Sequence, residues 1–183
     1  MDCLMPTTNL SLASIKEVLR GKFDDKWDVP DFSIEKWRDK HSRHALIIPI
    51  INEGDRILSL LRNIECSVGK QKIDVFIVDG GSSDGCIEDI LWGTDECFNV
   101  TILSKREAGG LSTQLRIGYA VTVSLGYDGV ITMDGNGKDD PSYIDGFIAL
   151  LEEGFDMIQA SRYIDGGRGV NTPLARHLAI TLI

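Results

Sequence analysis

Cysteine is scarce in this chain, and its four copies, Cys3, Cys66, Cys86 and Cys97, include no CxxC pair. That excludes a disulfide scaffold and a thiolate zinc site, and it is the usage of reduced thiols in a cytosolic protein. Positive charge is also short: 19 Lys and Arg stand against 28 Asp and Glu, a formal net charge of -9. A surface that tracks nucleic acid or anionic lipid needs a basic excess, so no nucleic-acid partner is expected and any anionic ligand must meet a local cluster of cations. Long apolar runs are missing too. The longest, "ALIIPII" and "LAITLI", fall far below the roughly 18 residues of a membrane span, and the first twenty residues lack the basic and apolar regions of a signal peptide. No GxGxxG follows an apolar run and no GK[ST] occurs, which excludes the dinucleotide and P-loop fingerprints.

What the chain does have is the composition of a soluble globule, 43% apolar and 26% charged over 183 residues. Residues 1–44 carry Trp27, Trp37, Pro30 and mixed charge, and they are expected to form a helical N-terminal extension. "LASIKEVLR" has helical apolar spacing closed by Gly21, and "SIEKWRDK" is read as a second helix starting at Ser33.

From Ala45 onward apolar runs alternate with helical stretches. "ALIIPII", "DVFIVD", "FNVTILS", "GVITMD" and "FDMIQAS" are the expected strands, and Asn52 is the expected cap of a helix whose apolar face is Ile57, Leu60, Leu61 and Ile64. Strands that are apolar on both faces and separated by helices imply a mostly parallel sheet covered on both sides. Ligands of such sheets bind at the carboxyl ends of the strands, which is where "NE", "DGGSSDG", "KRE", "DGNGKDD" and "SRY" fall.

In "VITMDGNGKDDP" the Asp-Gly and Asn-Gly pairs are hairpin signals, but the next residues start a helix, with Asp140 as N-cap and Pro141 as first helical residue. The segment is therefore read as a strand-to-helix loop. Asp134 and Asn136, two residues apart at a strand end, have the spacing to hold a hard cation that bridges a diphosphate.

Five segments in order, "IIPIINE", "FIVDGGSSDG", "GGLSTQLRIGYA", "VITMDGNGKDDP" and "IQASRYIDGG", resemble the family 2 glycosyltransferases of GT-A fold, most closely the branch that includes dolichyl-phosphate mannosyltransferase. The resemblance implies a Rossmann-like α/β domain over residues 45–183 that moves a sugar from a nucleotide-diphospho-sugar, with inversion, to a lipid phosphate or a saccharide hydroxyl. It implies that Pro49, Asn52 and Glu53 line the base and ribose, that Asp79 reads a base N–H, and that Gly81 shapes the turn. Asp134 and Asn136 would hold Mg²⁺ or Mn²⁺, and Arg162 and Arg176 would hold phosphates. The pattern departs from the family at Asn136, where a second Asp is usual, and at Gly80, where another often stands. Lys138 replaces a Gln, and is either a pyrophosphate contact or a solvated loop lysine. A lipid-phosphate acceptor needs no general base; a hydroxyl acceptor needs a carboxylate, for which Asp139 and Asp140 are the candidates. The cysteine usage points to a cytoplasmic protein, and a lipid acceptor would put it at the cytoplasmic face of a membrane. The end in "LAITLI" has no C-cap, so a C-terminally truncated domain is expected. The rival reading is a non-catalytic nucleotide-sugar-binding or regulatory module, motivated by Asn136 and Lys138.

Overall fold

Four of the apolar runs become parallel strands because their residues have no solvent face to offer. The computed structural model describes residues 11–68, 73–93 and 99–161. Within them β2 (His44–Ile50) and β3 (Asp74–Asp79) are buried at every position, while β4 (Val100–Lys105) and β5 (Gly129–Thr132) are shorter or half-buried. A fifth strand, β1 (Phe32–Lys36), precedes them, and the sheet order is β1-β4-β3-β2-β5. Every pairing is parallel except β1 with β4.

Helices cover both faces. Against one face lie α1 (Leu12–Arg20) and α4 (Leu111–Ser124), which share a core with the sheet through Ile15, Leu19, Phe32, Ile47, Phe76 and Ile117. Gly118 sets the approach of α4: a Cβ there would sit 2.9 Å from Ile47 Cγ2, closer than packed carbons tolerate. Leu46, Ile48, Ile50 and Ile77 point to the other face and are as dry. There α2 (Asp55–Val68) buries the expected Ile57, Leu60, Leu61 and Ile64 and packs on α3 (Cys86–Gly93).

The N-terminal part corrects one expectation. The segment from Ser33 is strand, not helix: Phe32 and Ile34 are buried while Ser33 and Glu35 between them are less so, a period of two. The open edge of β4 decides the matter, since Phe32 pairs with Lys105 and Ile34 with Leu103. α1 and β1 belong to the same compact unit as the sheet, Met1–Ala149. The expected helix "LASIKEVLR" is present, capped by the Ser11 hydroxyl at Ser14 N and closed at Gly21.

A second compact unit is Leu150–Ile183. Of its described residues, "FDMIQAS" forms no strand. Phe155 and Met157 are 54% and 82% exposed, and exposed apolar residues with no ladder partner do not make a strand however well they alternate.

The amino ends of the strands are fastened by one carboxylate. Asp74 accepts from His41 N (2.8 Å), Ser42 N (2.9 Å), Asn99 Nδ2 (2.8 Å) and the Tyr127 hydroxyl (2.7 Å). Burial first and the Asp74 charge second push the Tyr127 hydroxyl well above its ordinary pKa.

Candidate functional site

The carboxyl ends of β2 and β3 are built as one piece. Asn52 takes a left-handed conformation (φ 54°), donates its N–H to Ser82 Oγ (2.9 Å) and accepts from Ser83 N at its Oδ1 (2.8 Å). Gly54 N donates to Asp84 Oδ2 (2.8 Å), and Asp84 Oδ1 accepts from Cys86 N (3.2 Å) at the start of α3. Hydrogen bonds from the Cys86 thiol, Cys86 N and Gly54 N hold the Asp84 carboxyl below its ordinary pKa, while burial raises that of the Cys86 thiol. Asn52 is thus a cross-loop brace, not the expected cap of α2, which starts three residues later at Asp55. A local capping rule cannot see a partner 31 residues away.

Asp79, only 5% exposed, is the keystone of the β3 loop. Its carboxylate accepts from Gly81 N (3.0 Å), Ser82 N (3.0 Å) and Ser82 Oγ (2.6 Å). Gly81 (φ 98°) supplies the positive φ that the turn demands. Most of the acceptor capacity expected to read a base N–H is therefore spent on the loop.

After β5 the chain enters a 3-10 turn (Pro141–Tyr143) and α5 (Ile144–Glu152), so the strand-to-helix reading of "DGNGKDD" holds. Asp140 caps the turn, accepting from Ser142 N (2.9 Å), and that bond lowers its pKa. Gly135 lets the loop press onto β2: a Cβ there would fall 2.6 Å from Ile50 Cγ2 and 3.1 Å from Pro49 O. Its neighbours Asp134 and Asn136 are thereby set over the end of β2. Asn136 turns its amino group to Asp134 Oδ2 (3.4 Å) and accepts from Lys138 N at its Oδ1 (3.0 Å). In this arrangement Asn136 props Asp134 instead of offering a second ligand oxygen. Asp139 Oδ2 accepts from Asp134 N (3.3 Å).

A cleft of about 220 Å³ opens between these loops, lined by Pro49, Ile51, Glu53, Lys105, Leu111, Gln114, Asp134 and Asn136 among others. It lies at the carboxyl ends of β2 and β5, where the strand order reverses, the place at which open α/β sheets take ligands. Glu53 Oε2 is buried in it without an aligned donor, although the Arg56 guanidinium lies 3.0 Å away as an ion pair. A carboxylate oxygen that has left water without a hydrogen bond is a ready acceptor for a ligand hydroxyl.

Of the residues singled out in the sequence, Pro49, Glu53, Asp134 and Asn136 meet in the cleft. Asn52, Asp79 and Gly81 do not line it and instead build the adjoining β2 and β3 loops. Lys138 and Asp139 belong to the β5 loop without lining the cleft, and Arg162 and Arg176 lie outside the described residues. Lys105, Leu111 and Gln114 were missed. Lys105 had a signal in its place in "KRE" after a strand, and Leu111 and Gln114 in lying within "GGLSTQLRIGYA". Among the described residues no three His, Cys, Asp or Glu converge as a metal cluster, and no helix is long and apolar enough to cross a membrane.

The chain is 26% identical over 136 residues to the polyprenol monophosphomannose synthase of Mycolicibacterium smegmatis, covering 73% of this chain and 50% of that one. To the undecaprenyl-phosphate mannosyltransferase of Micrococcus luteus it is 27% identical over 136 residues, 74% and 55% of the two chains. It thus spans about half the length of these curated relatives. A solved mannosyltransferase from Pyrobaculum calidifontis, in complex with GDP-Man and Mn²⁺, aligns at a TM-score of 0.40 and 23% identity over 68% of this chain and 34% of its own. The family model described as glycosyl transferase family 2 matches residues 45–182, from the first parallel strand through every loop of the cleft, and the chain belongs to that family.

Proposed function

We propose that the cleft binds a nucleotide-diphospho-sugar and that the domain transfers its sugar to an acceptor. The observation that carries this reading is the placement of Asp134 and the unsatisfied Glu53 carboxylate on two sides of one cleft at the reversal of strand order. Glu53 suits the ribose hydroxyls, because its buried Oε2 has an ion-pair partner but no hydrogen-bond donor. Pro49 and Ile51 give the adjoining wall.

The β5 loop suits a hard divalent cation, Mg²⁺ or Mn²⁺. Such ions take few protein oxygens and complete their shell with phosphate and water, and here one exposed carboxylate stands at the cleft with a second, Asp139, in the same loop. Asp134 would hold the ion, and Asn136 would join only after turning its amide. When bound, the cation supplies charge stabilisation to the departing diphosphate. In the transfer itself an acceptor oxygen forms a bond to the anomeric carbon while the bond from that carbon to the diphosphate oxygen breaks. The electron pair leaves with the nucleoside diphosphate, and a single displacement inverts the centre. Arg162 and Arg176 are assigned to phosphate groups, being cations in an acidic chain.

The names of the relatives favour a polyprenyl phosphate acceptor, whose phosphate oxygen is already a nucleophile, and this reading assigns no general base. With a hydroxyl acceptor, Asp139 would take the proton. A lipid acceptor also places the reaction at a membrane surface.

Titration of Mn²⁺ with UDP or GDP present tests the reading. Asp134→Ala should abolish the metal-dependent part of nucleotide binding, and Asn136→Asp should strengthen it by adding charge to a hard-cation site. Equal metal affinity in the unaltered chain and Asp134→Ala would sink it.

A further inference from the structure

One wall of the cleft, the connection from β4 to α4, has no packing of its own to hold it. It contributes Lys105, Gly109, Gly110 and Leu111 to the lining, yet every residue from Arg106 to Gly110 is exposed and outside helix and strand. A loop that buries nothing is placed by its polar ties.

Those ties lead to the N-terminal segment. Arg106 N donates to Asp31 O (2.8 Å), Glu107 Oε1 accepts from Asp31 N (2.9 Å), and the Arg106 guanidinium pairs with Glu35 (3.4 Å). Among the described residues no other hydrogen bond carries 106–110 to another part of the fold; Lys105 Nζ to Gly109 O and Thr113 N to Gly110 O stay within the connection and the first turn of α4. Further along α4, Arg116 donates to Asp28 O (2.8 Å) and pairs with the Asp28 carboxylate.

The gripping segment is itself pinned. The Asp31 carboxylate takes Lys16 Nζ and Arg20 Nη2 of α1, each at 2.7 Å, and both cations lie over the Phe32 ring, 5.4 and 5.8 Å from its centre. Phe32 is fully buried, so this segment is anchored in the core while the loop it holds is not. None of residues 28–35 lines the cleft, and all of them precede the stretch that the family model matches, 45–182.

We propose that residues 28–35 position the β4–α4 wall of the cleft, through the Asp31–Glu107 and Asp28–Arg116 contacts, so that ligand binding in the cleft and docking of this segment favour one another. The ligand is the nucleotide-diphospho-sugar of the reading above, on which this coupling rests. Affinity scales with the fraction of molecules in which the wall stands ready, and linkage makes the effect mutual. A ligand that touches Lys105 and Leu111 therefore tightens residues it never touches.

Hydrogen exchange and calorimetry on the full chain, with UDP and GDP in the presence of Mn²⁺, test this. In the unaltered chain nucleotide should slow amide exchange at residues 31–36, which lie outside the cleft. Glu107→Ala should weaken nucleotide binding about threefold and Glu107→Ala with Arg116→Ala about tenfold, the equivalent of one and two surface hydrogen bonds. Exchange at 106–110 should quicken in the double variant while the urea midpoint stays close to that of the unaltered chain, since both altered side chains are exposed. Glu107→Gln, whose amide oxygen accepts the same Asp31 N–H, should bind like the unaltered chain. Exchange at 31–36 that ignores nucleotide, a double variant of unaltered affinity, or Glu107→Gln as weak as Glu107→Ala would each overturn the positioning role while leaving nucleotide binding in place. No binding of either nucleotide would overturn the donor reading instead. Exchange in the free proteins then decides the positioning role, and equal rates at 106–110 in the unaltered chain and the double variant would overturn it too.

Discussion

Replacing Asp79 by alanine separates a ligand-reading carboxylate from one that builds its own loop. The substitution strips the acceptor from three donors, Gly81 N, Ser82 N and Ser82 Oγ. Hydrogen bonds to a charged group contribute about 1.5–3 kcal/mol each, but Gly81 and Ser82 reach solvent, and water recovers part of that for the stripped donors. The net loss is about 2–4 kcal/mol, a large share of the roughly 5–15 kcal/mol that holds an ordinary domain together. In urea, with a slope of about 1–3 kcal/mol per molar, the midpoint should fall by about 1–2 M with the slope unchanged. Ser82→Ala removes the hydroxyl arm to Asp79 and the acceptor of Asn52 N and should cost about 1–2 kcal/mol, and the double variant should cost less than the sum, because the two share the Ser82–Asp79 bond. An Asp79→Ala protein that melts like the unaltered chain yet binds nucleotide weakly would refute the loop role and restore the carboxylate to the ligand.

Two further outcomes are expected. Phe32→Ala empties a fully buried aromatic from the core shared by α1, β1 and the sheet, and should lower stability by about 3–5 kcal/mol in the same urea experiment; a change under about 1 kcal/mol would detach β1 from the fold. The Asp84 carboxyl has a pKa lowered from its ordinary 3.8, chiefly by the Cys86 thiol bond, so its contribution is complete above about pH 4 and is lost as pH falls through the lowered value. Asp84→Asn should accordingly flatten the acid limb of melting temperature against pH below about pH 4, and an unchanged limb would remove Asp84 from the cross-loop brace.

The parallel strands were legible because nothing else explains four runs without a polar face, and the cleft was legible in outline because strand order puts their carboxyl ends together. "FSIEK" was not. Five residues satisfy either period, and only the open edge of β4, some seventy residues on, chooses strand. "FDMIQAS" failed for the opposite reason: it alternates, but its apolar residues stay in water. Asn52 looked like a cap and is a brace, because its partner lies in the other loop, and the loop bonds of Asp79 were equally invisible until that loop was in place. Gln114 lay inside the quoted segment "GGLSTQLRIGYA" but was given no role there. It is a polar residue within a helix, and its bonds to Ile50 O and Val78 O, in the room left by Gly80, exist only once helix and sheet are packed.

The antiparallel seat of β1 on β4 also bears on how the molecule behaves in company. The outer strand of any open sheet presents a row of unpaired N–H and C=O groups unless something covers it, and on this side the cover comes from the earliest described part of the chain. Proteolytic removal of the segment that carries β1 would therefore do more than weaken a core. It would bare β4, whose Val100–Leu103 are buried in the intact fold, as an apolar template on which a second copy could add its own strand, so that the clipped protein would be lost to self-association.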